Sequence, residues 1–251
     1  MGVNDVLVIS ACLGAMAAAL LIGQAVHKAR VRRMIAAGTA LGLARVAPGE
    51  SIALPATELA RKSRRFFGAM LQGEWNGVPM LVFDLYHSGS RSIVRQTVLG
   101  IRLAEPLPEF ALVERDWNKY RPTLDIPEVK DAPAPLQRSW YVHTRDGNWP
   151  FDEALTNWLA PRADTSWLRQ RWSYEGAGSR LLVYRRHRLV RASTLRSWLD
   201  EALAEAQGFA AHAHADGMVG DAVAEEIYTS SGSVERDGLR LKFSMRLKRR
   251  R

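Results

Sequence analysis

The sequence predicts an α+β fold: one N-terminal transmembrane helix, followed by a mainly antiparallel sheet with helices on one face. Three observations carry that reading. Residues Val6 to Val26 hold no charge and then give way to a basic cluster. Asn76-Gly77 separates two strand-patterned runs, the arrangement of a two-residue hairpin turn. Leu195, Leu199 and Leu203 recur at helical spacing within "STLRSWLDEALAEAQGF", with Gly208 as the expected stop.

As a helix, Val6 to Val26 would rise roughly 30 Å, the thickness of a bilayer's hydrocarbon core. A core helix of a globular domain is usually shorter and shows a polar stripe, whereas only Ser10 and Gln24 interrupt this run. An export signal opens with Lys or Arg and ends in a cleavage site; this chain opens Met1-Gly2-Val3-Asn4-Asp5. The lipoprotein-like box Ile9-Ser10-Ala11-Cys12 has too little apolar sequence before it, and the run continues past Cys12. An uncleaved anchor is therefore expected. Lys28, Arg30, Arg32 and Arg33 follow it, with no acid between Asp5 and Glu50. Basic flanks stay inside, so the expected topology is a single-pass protein of the cytoplasmic (inner) membrane, N-terminus outside. Cys12 is the only cysteine, leaving the rest of the chain no thiol for an internal disulfide. Along the span, Ala11, Ala15, Ala19 and Gly23 repeat every four residues beside Ser10, Gly14 and Ala18. Small residues let helices approach closely, which marks a packing face for a second copy or another membrane protein.

A net charge of +9 invites a nucleic-acid reading, but its distribution argues otherwise. Residues 1–65 carry nine Lys and Arg against three acids, and residues 236–251 carry eight against Asp237, so the middle is mildly acidic. The excess lies in Lys28, Arg30, Arg32, Arg33, Arg61, Lys62, Arg64 and Arg65, and in the tail with Arg246, Lys248, Arg249, Arg250 and Arg251. That distribution suits two ends facing anionic lipid. From Leu239 to Lys248, apolar residues alternate with Arg240, Lys242, Ser244, Arg246 and Lys248, a strand pattern with one greasy and one largely basic face. An RNA-binding strand would carry stacking aromatics, and only Phe243 is present.

Four divisions follow: an anchor at 1–26, basic juxtamembrane helices at 27–70, an α+β domain at 71–208, and a linker with a basic tail at 209–251. Within 27–70, one helix is expected to about residue 45, ending near Pro48-Gly49, and a second from Ala56 to Met70. "LQGEWNGVPMLVFDLYH" and "SIVRQTVLGIRL" read as three strands. The prolines of "AEPLPEFALVERDW" make Phe110 to Val113 a short edge strand. Trp117 to Pro135 reads as a connecting loop. "SWYVHTRDGNW" is a strand ended at Asp146-Gly147, "FDEALTNWLA" a short helix, and "WLRQRWSYEGAGSRLLVYRRHR" a hairpin turning at Glu175 to Ser179. Residues 71–116 and 138–208 are candidate halves, without a residue-level repeat between them.

Few residues point to chemistry. Asp84, His87, Ser88 and Ser90 lie close in sequence but lack a nucleophile elbow. His212, His214 and Asp216 share a face if extended, yet a structural zinc site takes four protein ligands; a linker is the better account. The eight tryptophans are spread along the chain without a cluster. Neither a phosphate loop, a dinucleotide fingerprint, a paired-cysteine pattern nor His-Glu-x-x-His occurs, so no cofactor or metal is implied.

The order of one span, a basic juxtamembrane segment, "GEWNGVPMLVFDLY", "RQTVLGIRL", "PLPEFALVERD" and "SRLLVYRR" before a final helix resembles a class of uncharacterised bacterial single-span membrane-anchored proteins with a cytoplasmic α+β domain. Gly77, Val82, Phe83 and Asp84 fit that class's hairpin, while Leu85 replaces its aromatic. The likeness extends over residues 1–208, outside the proline-rich 122–135 and the tail, and implies no catalytic residue. The expected function is a membrane-anchored, non-enzymatic, protein-binding or accessory subunit of a membrane assembly, touching anionic lipid and a second membrane protein or copy. The alternatives are a membrane-tethered hydrolase using Asp84 and His87, and nucleic-acid binding through the basic tail.

Overall fold

The computed structural model describes residues 3–46, 65–88, 93–115, 124, 126–163, 171–213, 233–236 and 239–242; side chains at 3–11, 13, 65–67, 87–88, 93 and beyond 232 are outside that description. The fold is α+β, and every described strand pairing is antiparallel.

Helix α1, Val3–Ala40, is continuous. From residue 14 to 26 every side chain is exposed, whereas Met34 and Gly38 are buried. At Gly38 a Cβ atom would lie 2.5 Å from Leu71 Cδ1, so the helix backbone itself rests on the sheet there. The helix ends where Gly42 turns to φ 85° and Leu43 N–H donates back to the Gly38 carbonyl. Only a residue without Cβ takes that conformation cheaply. The expected continuation to residue 45 therefore stops early, and Ala44–Arg45 pair instead as β1. The expected transmembrane span is not carried by the fold: among the described residues no helix is long and apolar enough to cross a membrane. The side chains at 6–11 and 13 of the run lie outside the described ones, and what remains of it, from Gly14, soon meets Gln24 and then His27, Lys28 and Arg30 beyond its end.

Strands β2 (Arg65–Trp75), β3 (Val78–Ser88), β4 (Ile93–Glu114) and β5 (Trp140–Thr144) continue the order β1-β2-β3-β4-β5, and β6 (Trp172–Arg185) also pairs with β4. Asn76 and Gly77 both have positive φ, 50° and 78°, the turn in which twisted strands meet without splaying. The helix expected over Ala56 to Met70 is corrected at its end: 65–70 open β2, where Arg65 pairs with His87 and Phe66 with Tyr86. Residues 56–64 lie outside the described residues.

Two further expectations fail for one reason. β4 does not fade at its prolines into an edge strand; it runs to Glu114 and is flanked by β5 and β6. β6 does not turn at Glu175 to Ser179; it follows β4 throughout. Its pairing with β4 is irregular between Arg102 and Phe110, opposite Gly176 and Gly178, the latter at φ 56°. Bulges bend a ribbon without ending it, and in sequence a bend and a turn carry the same glycines. The bend is sharp: Tyr184 and Glu175 would be roughly 30 Å apart on a straight strand, yet their side chains are bonded at 2.5 Å.

Helices α2 (Ala134–Ser139), α3 (Glu153–Ala163) and α4 (Leu195–His212) complete the domain. Met34, Leu136, Leu155 and Leu199, one from each helix, join a single cluster with Met80 and Val82 of β3, Leu99 of β4 and Val183 of β6. Residues of both candidate halves share it. Phe83, Leu85, Val98, Leu182 and Tyr184 make a smaller cluster on the opposite sheet face. Leu195, Leu199 and Leu203 are buried as their spacing requires, but Gly208 does not stop the helix. Its missing side chain admits the Trp158 ring, 2.5 Å from where a Cβ would sit. Trp140, Trp172 and Trp198 belong to the main core cluster, and Trp75, Trp149 and Trp158 pack against that cluster. In the tail, Ser233–Arg236 (β7) pairs with Leu239–Lys242 (β8).

Candidate functional site at the helix–sheet junction

Along β3 the residues facing the main core alternate as Val78, Met80, Val82 and then Asp84, a carboxylate where the pattern calls for an apolar side chain. Its side chain has no solvent exposure. A buried charge is tolerated when paired and hydrogen-bonded, and α1 supplies the partner. Arg30 Nη2 donates to Oδ2 at 2.9 Å and Oδ1 at 3.1 Å, and Nε donates to Oδ2 at 3.2 Å. Thr97 of β4 donates its hydroxyl to Oδ1 at 2.6 Å, and Thr97 Oγ1 in turn accepts the Val190 N–H at 2.9 Å. The Asp84 carboxylate therefore joins α1, β3 and β4, and Thr97 carries the connection on to the segment entering α4.

Space for this node comes from Gly68 on β2, where a Cβ would stand 2.9 Å from the Tyr86 ring and 3.0 Å from Asp84 Cβ. The His27 ring meets Tyr86 edge-on at 5.2 Å. Burial pushes the Asp84 carboxyl above its ordinary value, opposed by the Arg30 charge and the Thr97 bond. Burial and then the Asp84 charge push the Tyr86 phenol up.

Such an arrangement holds rather than reacts. Both Asp84 oxygens accept charge-assisted bonds, so the group has no free lone pair to offer a substrate proton at this geometry. The side chain of His87, the base in the hydrolase alternative, is outside the described ones.

Of the basic residues expected to face lipid, Arg30 is instead drawn to Asp84 and is 22% exposed. Lys28, Arg32 and Arg33 are exposed beside it. Arg65 begins β2; its side chain, together with Arg61, Lys62, Arg64, Arg246, Lys248, Arg249, Arg250 and Arg251, lies outside the described residues. Gly14, Ala15, Ala18, Ala19 and Gly23 are exposed on α1, while Ser10 and Ala11 side chains fall outside. His212 belongs to α4, stacked on Trp158 at 5.6 Å with Nδ1 against the Gly208 carbonyl at 2.7 Å. His214 and Asp216 lie outside the described residues, among which no metal-binding group of three or more forms.

A second polar group, missed in the sequence, fills the crease of the bent β4–β6 ribbon. Tyr184 donates to Glu175, the Glu114 N–H donates to Ser173 Oγ, and Arg186 Nη1 donates to the Glu114 carbonyl. All five residues are buried. Burial and the Glu175 carboxylate push the Tyr184 phenol far up. Gln96, nearby on the same face beside Leu85, is wholly buried with neither amide atom hydrogen-bonded, a cost of about 1–3 kcal/mol per unpaired group. A latch across the crease accounts for the bonded residues.

No protein-family model matches the chain, and neither a curated protein nor a solved structure is significantly similar to it.

Proposed function

We propose that the chain is a membrane-anchored, non-enzymatic subunit whose α+β domain binds or positions a protein partner. In this reading Val6 to Val26 cross the cytoplasmic membrane with the N-terminus outside, as in the class of bacterial single-span proteins that the sequence resembles. One observation carries it. Met16, Leu20, Leu21, Ile22 and Val26 are each 63–66% exposed on a helix that continues into the domain. Leu20, Leu21 and Ile22 point about 100° apart, so the apolar surface encircles the helix rather than forming a stripe for one groove. A helix apolar all round fits a lipid surrounding.

Gly14 and Gly23 have nothing within 4 Å of where a Cβ would be, leaving the face formed with Ala15, Ala18 and Ala19 open to a second membrane helix, from another protein or another copy. Lys28, Arg32 and Arg33, exposed within about two turns beyond Val26, suit anionic headgroups.

Bacterial membranes containing the full chain test this directly. The chain should stay in the membrane after alkaline carbonate extraction, and a reporter fused at the C-terminus should be active only in the cytoplasm. Extraction into the supernatant, or a reporter active in the periplasm, would falsify the anchor and its orientation respectively. Affinity isolation in mild detergent should then bring a second membrane protein or a second copy with it.

A further inference from the structure

Three elements meet where the apolar part of α1 leaves the domain. On α1 itself, Lys28, Arg32 and Arg33 are exposed. On β4, Arg95 is exposed and paired with Tyr86, the residue whose ring meets His27 of α1. The third element is the connection from β6 to α4, which its backbone ties to the same place. The Thr97 N–H donates to the Arg188 carbonyl at 2.9 Å, the Val190 N–H donates to Thr97 Oγ1, and the 3-10 turn Ala192–Thr194 packs against α1. Arg188 and Arg191 are exposed on this connection.

The charge at this end is one-sided. Among the described residues 27–46, 78–88, 93–104 and 181–199, Asp84 is the only acid, and it is buried and held by Arg30. None of the six exposed cations enters a described ion pair. They come from separate elements around the root of one helix, and the exposed side chains Met16, Leu20, Leu21, Ile22 and Val26 lead directly out from among them. An acidic protein would need to match that layout point by point. A surface of acidic lipid, entered by the apolar helix, meets the cations and the helix together.

We infer that this end of the domain, through Arg95, Arg188 and Arg191 together with the α1 cations, rests on anionic lipid headgroups. The inference rests on the reading of α1 as a membrane anchor, and adds that the anchored domain lies against the bilayer instead of standing clear of it.

The full chain in lipid vesicles tests the two separately. Cys12 is replaced by Ser, and a nitrobenzoxadiazole fluorophore is placed on Ser193→Cys, an exposed position two residues from Arg191. Flotation with phosphatidylcholine vesicles reports the anchor alone, while quenching of the fluorophore by a lipid with a nitroxide on its headgroup reports the approach of the domain. Quenching should be about threefold stronger when the vesicles hold about 30% phosphatidylglycerol, and the gain should fade as salt rises to about 0.5 M. Arg188→Gln with Arg191→Gln should remove most of the gain, since each cation near such a surface shifts the balance about fivefold, and Arg95→Gln should remove the rest. Lys130→Gln with Arg138→Gln, which takes the same charge from exposed positions elsewhere, should leave it intact. Unchanged urea midpoints show that the variants fold. Equal quenching in both kinds of vesicle overturns the inference, as does an equal loss from the two pairs of substitutions. A chain that fails to float on phosphatidylcholine, yet is quenched on phosphatidylglycerol in a way that depends on Arg188 and Arg191, loses the anchor and keeps this surface.

Discussion

The two parts of α1 make the plainest contrast in the molecule. From residue 14 to 26 no side chain is covered, and the largest are aliphatic. From His27 to Ala40 the same helix turns one face to the sheet, with Arg30 bonded to Asp84, Met34 buried and Gly38 pressed on Leu71. Nothing breaks the helix between the two parts. What differs is the surrounding each was composed for, and the crossover falls at a polar quartet of Gln24, His27, Lys28 and Arg30.

Substitutions can sharpen or break that contrast. The largest effect belongs to Asp84→Ala, which leaves Arg30 without its partner in a largely buried site. Such losses cost about 3–5 kcal/mol, read as a lower urea midpoint for the full chain in micelles; a shift below 1 kcal/mol would mean that the pair does not hold α1 to the sheet. Met34→Ala removes a fully buried side chain from the docked part and should cost about 2–5 kcal/mol. Thr97→Val keeps the shape but removes the bond to Asp84 and the acceptor for Val190 N–H, worth about 1–3 kcal/mol together. Leu20→Ala should change the domain's unfolding by no more than about 0.5 kcal/mol; a cost like that of Met34→Ala would show the distal part to be packed after all.

Acidity offers a separate check on the same node. Because burial raises the Asp84 pKa, the folded chain holds that proton more tightly than the unfolded chain does. The stability it contributes is complete below the ordinary Asp value near 3.9 and is lost as pH rises through the raised value. Asp84→Asn cannot titrate, so the gap between the variant's and the parent's urea midpoints should change across that window. Parallel curves would show that the carboxyl is not raised.

The sheet was readable wherever local chemistry decided it. Asn76-Gly77 required a hairpin, the leucines of α4 required a buried stripe, and both are present. Misreadings arose where distant contacts overrode local signals. Gly176 and Gly178 look like a turn until β4 is seen running alongside them, and Gly208 looks like a stop until Trp158 fills its place. Arg30 looked like its basic neighbours because its partner lies 54 residues away. A signal for that pair did exist: Asp84 continues the inward alternation of Val78, Met80 and Val82, and an acid in that register demands a cation from whatever packs above it.

An unbroken α1 also fixes angular phase. With one hydrogen-bond ladder running from the exposed part into the Arg30 clamp, the helix works as a drive shaft without a universal joint. The azimuth of the domain follows from the azimuth of residues 14–26. One alanine inserted between Val26 and His27 would swing Met16 and Leu20 by about 100° relative to Asp84 while lengthening the shaft by only about 1.5 Å, and two copies meeting along Ala15, Ala19 and Gly23 would then present different faces of their domains to one another.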